Sequence, residues 1–201
     1  NSRETPLFHK GLMLFNGHRA RQAARDAETV IVVEGYLDAI AVYQAGIPGV
    51  VATLGTAFTE EQIGKLWRLA PEPVVCFDGD RAGIAAAHRA IDRILPVLKS
   101  GYSFQFAILP DGKDPDDLIA ASGRAGFLAE IGRATPLADV LWERETRSAP
   151  IDTPERRAAL EKRFDELIGA IKDPLVSKSY RASIRPRLSN LFWTASRPPR
   201  D

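Results

Sequence analysis

Acidic side chains follow three apolar runs of this sequence that have the composition of buried β-strands. These carboxylates belong, in chain order, to Glu34, Asp38, Asp78, Asp80, Asp114 and Asp116. If the three strands are parallel, their carboxyl ends lie at the same edge of one sheet, and all three acidic turns meet there.

Carboxylates that lie close together repel one another and raise one another's pKa unless a cation neutralises them. A hard divalent ion such as Mg²⁺ prefers oxygen ligands and commonly combines a few carboxylates with substrate phosphates. Two such ions, about 3.5–4 Å apart, can activate an attacking oxygen and stabilise a leaving one. Gly35 and Gly79 would let a metal or a phosphate approach the backbone. The pattern therefore predicts metal-assisted phosphate chemistry, with Glu34, Asp78 and Asp80 at its centre.

Some of these acids have a second interpretation, because aspartate also caps helices and forms turns. For Asp111 and Asp117 we prefer that interpretation. For Asp38, a favourable interaction with a helix start is as good an explanation as a metal role. Asp114 and Asp116 are assigned to the metal, although Asp-Pro also begins helices.

Alternating strand and helix patterns surround these acidic turns. Strands are predicted at residues 29–33, 48–53, 73–77 and 103–109, and helices at 37–45, from Thr59 and from about Ala82. The alternation predicts an α/β fold with a mostly parallel sheet flanked by helices. The apolar alternation in 103–109 places that strand at an edge.

The pattern after about residue 135 contains helices only. They are predicted at residues 136–147, from Pro154 and from about Leu175, and Pro186 is expected to kink or end the last one. This region is a small helical subdomain. The predicted division of the chain is a lead-in at 1–28, a metal-binding domain at 29–134, the helical subdomain at 135–194 and a linker tail at 195–201.

The overall composition excludes several classes of protein. Of the 201 residues, 45% are apolar and 26% are charged, which indicates a globular chain, and the net charge of +1 leaves nucleic-acid contacts to local patches. One cysteine, Cys76, permits no internal disulfide, and the histidines have no zinc-ligand spacing. Neither a membrane-spanning run nor a signal peptide is present. We expect a cytoplasmic protein, of which this chain is a piece.

Five ordered motifs resemble a known family. Glu34-Gly35 followed by Asp78-x-Asp80 resembles the TOPRIM domain of primases, topoisomerases and some nucleases, and finer motifs resemble the bacterial replicative DNA primases. Those motifs are Asn1-Ser2-x-Glu4-Thr5-x-x-Phe8-His9-Lys10-Gly11, Glu34-Gly35-Tyr36-x-Asp38, Leu54-Gly55-Thr56-Ala57, Asp78-Gly79-Asp80-Arg81-Ala82-Gly83 and Leu109-Pro110-Asp111-Gly112-Lys113-Asp114-Pro115-Asp116.

The resemblance implies a DNA-templated RNA polymerase, a nucleotidyltransferase that makes short primers for DNA replication. Its implied catalytic residues are Glu34, Asp78 and Asp80. Its implied metal ligands, for two or more Mg²⁺ or Mn²⁺ ions and no zinc, are Glu34, Asp38, Asp78, Asp80, Asp114 and Asp116. Its implied nucleotide or phosphate contacts are Asn1, His9 and Lys10; for Lys10, a solvated surface lysine is nearly as good an explanation.

The partners implied by the resemblance are a single-stranded DNA template, nucleoside triphosphates and an RNA–DNA hybrid, with no membrane. A replicative helicase would bind in the primosome, at the bacterial replication fork, through a region that this chain lacks. The family's zinc-binding module and the first part of its polymerase domain are also missing. We therefore expect the isolated chain to be inactive in primer synthesis.

A basic stripe near the carboxyl terminus is a weaker signal. Lys178, Arg181 and Arg185 share one helical face, which could contact template phosphates. An ordinary solvated face explains them slightly better.

Three other functions compete with the primase hypothesis. Another TOPRIM enzyme, a nuclease or a topoisomerase, would break phosphodiesters; a non-catalytic module would only bind nucleic acid. A phosphoacceptor domain also gathers acids at strand ends, but the run Asp78-Gly79-Asp80-Arg81-Ala82-Gly83 fits it poorly.

Overall fold

The structure is a computed structural model that describes residues 9–25, 29–53 and 58–195. The chain divides into two compact units. The first, here called the sheet unit, runs to residue 94 and continues from 101 to 137; the second, the helical unit, comprises 95–100 and the residues from 138 onward. Asn1 and the motif Leu54-Gly55-Thr56-Ala57 lie outside the described residues.

The sheet unit is built on a mixed, mostly parallel five-stranded sheet. Its strands are β1 (Ile31–Val33), β2 (Val50–Ala52), β3 (Val74–Phe77), β4 (Gln105–Ile108) and β5 (Thr135–Pro136). The strand order is β2-β1-β3-β4-β5, in which the first four strands are parallel and β5 is antiparallel. Every residue of β1, β2 and β3 is buried, which explains their continuous apolar runs. The predicted sheet is confirmed.

The prediction that residues 103–109 form an edge strand is wrong. β5 pairs with β4 on its outer side, through Gln105 opposite Pro136 and Phe106 opposite Thr135. Ala107 is buried beside Phe106, so the alternation is interrupted as well. A two-residue strand has no periodicity to detect, and Pro136 reads more naturally as the start of a helix.

Five helices flank this sheet. They are α1 (Gly17–Arg25), α2 (Tyr36–Gln44), α3 (Glu60–Trp67), α4 (Arg81–Ile94) and α5 (Pro115–Ile131). Short 3₁₀ turns occupy Lys10–Leu12, Leu95–Val97 and Pro110–Gly112. After the first 3₁₀ turn, Phe15 forms an antiparallel bridge with Ala52.

Helix ends follow the signals in the sequence. Gly46, with φ of +83°, donates to the carbonyl of Tyr43, while Ile47 donates to that of Val42, which ends α2 as predicted. The Thr59 hydroxyl accepts from the amide of Gln62, and the Gln62 side chain accepts from the amide of Thr59. The first cap fixes where the chain leaves α2 towards β2, and the second fixes where it enters α3 after β2.

The helical unit contains α7 (Pro154–Gly169), α8 (Pro174–Ala195) and all of α6 (Leu137–Thr146) except its first residue. α7 begins as predicted, with Thr153 as its cap and Pro154 in its first turn. Pro186 was expected to kink or end the last helix. It does not end the helix, because α8 continues through it to Ala195, and a kink there stays a prediction. A proline removes one backbone donor, and the buried Ile184 and Leu188 on either side hold the helix against its neighbours.

No helix in the described part of the chain combines the length and the hydropathy that crossing a membrane would need.

Candidate metal centre

The sheet unit places the predicted acids at one edge of its sheet. Glu34 follows β1 directly and Asp78 follows β3 directly, and these two strands are parallel neighbours. β4 is the parallel neighbour of β3 on the other side, and the turn beyond it leads to Asp114 and Asp116 at the start of α5. The parallel registers therefore bring the three acidic turns to the carboxyl ends of adjacent strands.

Burial and mutual repulsion raise the pKa of Glu34. Burial is the larger cause, followed by the charge of Asp78, while Asp38 and Asp80 contribute in the same direction. The pKa of Asp78 is likewise raised by burial first and then by Asp114 and Asp80. These five carboxylates therefore share one electrostatic field.

The pKa of Asp38 is raised as well, to about 6. Burial is the largest cause, the hydrogen bond from the amide of Gly35 acts in the lowering direction, and Asp78, Asp114 and Asp116 act in the raising direction. Asp116 thus belongs to the same field as the other five acids. A group with this pKa titrates close to neutral pH, where a bound cation would decide its charge.

Three of the predicted ligands also cap helices, so both of their interpretations have support. The amide of Gly35 donates to Asp38 Oδ2 at 3.1 Å, that of Gly83 to Asp80 Oδ1 at 2.7 Å, and that of Asp117 to Asp114 Oδ1 at 2.7 Å. Each cap uses one oxygen of a carboxylate that has two. Capping therefore orients these side chains and leaves the second oxygen of each for a cation.

The two acids assigned to turns lie in turns or helix starts. Asp111 has a φ of +59° inside the turn Pro110–Gly112, and Asp117 lies in the first turn of α5. Aspartate is one of the residues that tolerates the left-handed region. Both positions are consistent with the structural interpretation.

The glycines of the acidic turns allow close packing of backbone. A Cβ on Gly79 would collide with the carbonyl of Leu109, and one on Gly35 would lie 2.6 Å from Asp38 Oδ2. The Gly79 amide also donates to the carbonyl of Lys113 at 3.1 Å, which ties the turn after β3 to the turn after β4. Gly35 and Gly79 therefore allow the acidic turns to pack closely.

A divalent cation fits this donor set. Glu34 Oε1 is buried and has no hydrogen-bond partner in the described part of the chain, and the neighbouring donors are carboxylate oxygens. Within that part, however, no three Asp, Glu, His or Cys side chains already stand in a metal-ligating arrangement.

The predicted phosphate contacts that the structure describes lie near α3. Lys10 begins the first 3₁₀ turn, and its carbonyl accepts from Gln62 Nε2 at 3.1 Å; His9 is exposed beside it. The contact of either residue with a phosphate stays a prediction.

The basic stripe lies on α8 in the helical unit. Lys178, Arg181 and Arg185 are exposed, and the two arginines line a groove of about 340 Å³ together with Glu161 and Asp165 of α7. Acidic side chains beside the arginines weaken their attraction for phosphates. This arrangement favours the solvated-face interpretation.

Sequence reasoning missed the cations next to Glu34. Arg89 and Arg93 of α4 line a small cavity of about 60 Å³ with Glu34, and the charge of Arg89 lowers the pKa of Glu34 against the effect of burial. The four-residue spacing put both arginines on one helical face. Nothing in the sequence indicated that this face borders the acids.

Comparison with known proteins agrees with these features. Residues 28–105 match the model of the Toprim domain. The DNA primase of Pseudomonas aeruginosa is 43% identical over 95% of this chain, and that of Escherichia coli K12 is 37% identical over 94%. The chain spans 28% and 32% of the lengths of these relatives.

Solved structures show the same relationship. A structure of the DnaG catalytic core has a TM-score of 0.86 and 37% identity, covering 95% of this chain and 62% of that one. A DNA primase domain from Pseudomonas aeruginosa has a TM-score of 0.84 and 43% identity, with 95% and 59% covered. A DnaG primase catalytic domain bound to single-stranded DNA has a TM-score of 0.83, with 94% and 60% covered.

The parallel sheet and its acidic edge thus define a Toprim-domain protein, a class that generally uses divalent metal ions. Within that class, the chain belongs to the bacterial DNA primase family and corresponds to part of the family's catalytic core.

Proposed function

We propose that this chain supplies the metal-binding part of a DNA primase that makes short RNA primers on a DNA template. The observation that carries the proposal is the shared field of the six carboxylates around a buried, unpartnered oxygen of Glu34. Such an arrangement is unfavourable unless a cation enters it. The homology to bacterial DNA primases identifies the chemistry for which the cation is needed.

Glu34, Asp78 and Asp80 are the proposed catalytic ligands, with Asp38, Asp114 and Asp116 completing the site. When bound, two or more Mg²⁺ or Mn²⁺ ions would supply charge neutralisation for the triphosphate and activation of the attacking hydroxyl. The chain's own contribution is positioning: the caps on Asp38, Asp80 and Asp114 hold one oxygen of each carboxylate.

The proposed substrates are nucleoside triphosphates and a single-stranded DNA template, with an RNA–DNA hybrid as the product held by the enzyme. Asn1, His9 and Lys10 are the proposed nucleotide contacts. A solved relative carries single-stranded DNA, which supports the template. The replicative helicase would bind through a region outside this chain, in the primosome of the bacterial cytoplasm.

The proposed domain boundaries remain those expected from the sequence: a Toprim domain at 29–134 and a helical subdomain at 135–194. The described residues add that the lead-in 9–25 packs within the sheet unit, through the Phe15–Ala52 bridge, and that β5 extends that unit to residue 137.

Primer synthesis by a full-length primase that contains these residues tests the proposal. We expect Asp78→Ala/Asp80→Ala to abolish labelled RNA primers on a single-stranded template. Asp111→Asn is the matched control, since it removes a charge from a neighbouring turn, and it should leave synthesis within about twofold.

The same samples distinguish primer synthesis from the alternative function, in which the site breaks phosphodiesters. Nicking of supercoiled DNA by the unsubstituted protein, dependent on Mn²⁺ and lost in the double variant, would assign the site to a nuclease or topoisomerase. Primer synthesis that survives the double variant would contradict any catalytic role for these acids.

A further inference from the structure

A second concave surface of the sheet unit shares no residue with the acidic edge. It is a groove of about 620 Å³ between the segment at residues 12–21 and α3, and its apolar lining consists of Leu12, Met13, Leu14 and Leu69. Leu12 is 43% exposed and Met13 is 40% exposed. Adjacent large apolar side chains left open to water in a cavity of this size are typical of binding surfaces.

The segment that presents these side chains is held by α3. The Lys65 ammonium donates to the carbonyl of Leu12, and the Thr59 hydroxyl donates to that of Gly11 at 2.6 Å. The Gln62 amide donates to the carbonyls of Lys10 and Met13 at 3.1 and 3.2 Å. The exposed side chains therefore stand on a fixed backbone, which lowers the entropy lost when a ligand binds.

Positive charge surrounds the apolar lining. Arg21, Lys65 and Arg68 line the groove together with His18, and no acidic side chain among the described residues does so. The elements that carry them have acids elsewhere, such as Glu61 of α3, which does not line the groove. Charge complementarity calls for an acidic ligand, and the exposed leucine and methionine call for an apolar anchor.

The rings that line the groove distinguish between two acidic ligands. Single-stranded nucleic acid binds to cationic grooves by stacking its bases on aromatic rings. Among the described residues, no Phe, Tyr or Trp lines this groove and the imidazole of His18 is its one ring, whereas an aliphatic side chain packs well on leucine and methionine.

We propose that this groove binds an acidic peptide segment. One or two aliphatic side chains of the peptide cover Leu12 and Met13, and its carboxylates interact with Arg21 and Arg68. This surface is independent of the metal chemistry and gives the chain a site for a protein partner.

A methyl signal provides a direct test, because Met13 is the sole methionine in the sequence. Chain labelled with ¹³C-methyl methionine should give one resonance from within the groove. Titration with a peptide that alternates aspartate and leucine is expected to shift this resonance saturably. Arg68→Glu should weaken the peptide at least tenfold, and Arg133→Glu, which changes an exposed arginine outside the groove, should not.

Two further samples keep the test decisive. A peptide with serine in place of leucine should bind at least tenfold more weakly, and Arg21→Glu replaces Arg68→Glu if circular dichroism shows that the latter does not fold. The proposal is overturned if the peptide leaves the resonance unshifted. It is overturned as well if the control Arg133→Glu weakens peptide binding as much as the arginine variant in the groove does. It is also overturned if oligothymidylate shifts the signal at lower concentration, or if dilution of the chain alone shifts it, which would assign the groove to nucleic acid or to a second copy.

Discussion

The pKa values of aspartates shift in opposite directions at the acidic edge of the sheet unit and on the surface of the helical unit. At the edge, burial and like charges raise the pKa of Asp38 and Asp78. In the helical unit, the hydrogen bond from Arg156 lowers the pKa of Asp152, and the backbone amide of Ser100 lowers that of Asp173. Burial and like charges at the edge disfavour the ionised carboxylate, whereas hydrogen bonds in the helical unit favour it.

The paired charges of the helical unit show what the edge lacks. Arg187 Nη1 lies 2.6 Å from Asp139 Oδ1, and its guanidinium is 4.5 Å from the centre of the Trp142 ring. Glu145 receives hydrogen bonds from Arg144 at 2.7 Å and from Arg163 at 3.2 Å. No comparable ion pair of Glu34 or Asp78 is found in the described residues, although Arg89 is near enough to affect the former. The comparison predicts that stability and metal binding can be changed separately.

The largest change in stability without a change in metal binding is expected from a substitution in the core of the helical unit. Phe164 is buried and stacks on Trp142, with ring centres 5.5 Å apart. Phe164→Ala should lower the free energy of unfolding by about 3–5 kcal/mol, measured by urea denaturation. Under native conditions its Mn²⁺ affinity should equal that of the unsubstituted chain. Leu175→Ala is the control, because Leu175 is 67% exposed and should lose little stability. A parallel loss of Mn²⁺ affinity would show that the two regions are not separable.

The next largest effect is the pH dependence of metal binding. The pKa of Asp38 is about 6 in the fold, against an ordinary value of 3.8 for aspartate, so Mn²⁺ must displace its proton at low pH. Affinity should rise up to about tenfold between pH 5 and 6 and level off above pH 7, as calorimetry would show. Asp38→Asn should reduce this dependence, whereas Asp117→Asn should not.

The raised pKa of Asp38 also predicts how the stability of the metal-free chain depends on pH. A carboxyl whose pKa is raised by folding stabilises the fold while it is protonated, so this contribution is present below pH 3.8 and lost as the pH rises through about 6. Saturating Mn²⁺ should restore it. A metal-free stability that rises through this range would contradict the assignment to Asp38.

A smaller effect is expected from removing one charge at the edge. Asp78→Asn relieves repulsion with Asp80 and Asp114, and the structure records no hydrogen bond to Asp78 that it would break. In EDTA at pH 7.5, the variant should be more stable by up to about 1 kcal/mol after allowance for solvent screening. Asp165→Asn in the helical unit is the matched control, without a gain. A loss of stability in Asp78→Asn would mean that this charge serves the fold.

The smallest effect is expected at the Arg187–Asp139 pair. Both side chains are partly exposed, at 32% and 45%, so Arg187→Met should cost no more than about 1 kcal/mol. The loss should shrink in high salt, as thermal unfolding would show. A salt-independent loss of several kcal/mol would indicate that packing on Trp142, rather than charge, dominates.

Sequence reasoning was most successful where a local signal determines the structure. The buried runs of β1 to β3, the Gly46 end of α2 and the caps at Thr59 and Thr153 all depend on nearby residues. The pairing of β5 with β4 could not be predicted, because it joins residues about 30 positions apart. Pro186 does not end α8 for a related reason: tertiary packing overrides its local effect.

The candidate site likewise has one part that follows from the sequence pattern and another that depends on tertiary packing. The gathering of its six acids at one edge was predictable because parallel strands bring their ends together, and helix-start roles were weighed for Asp38 and Asp114. The role of these acids as metal ligands stays a prediction. Arg89 was not predictable, since its proximity to Glu34 depends on how α4 packs on the sheet.

Calorimetry with Mn²⁺ tests the central claim most directly. The unsubstituted chain should bind Mn²⁺, and Asp78→Ala/Asp80→Ala should reduce the affinity by at least about tenfold, which corresponds to 1.4 kcal/mol. Asp111→Asn should bind as the unsubstituted chain does. If the double variant binds Mn²⁺ as tightly as the unsubstituted chain, or if neither binds, the acidic edge is not a metal centre in this chain.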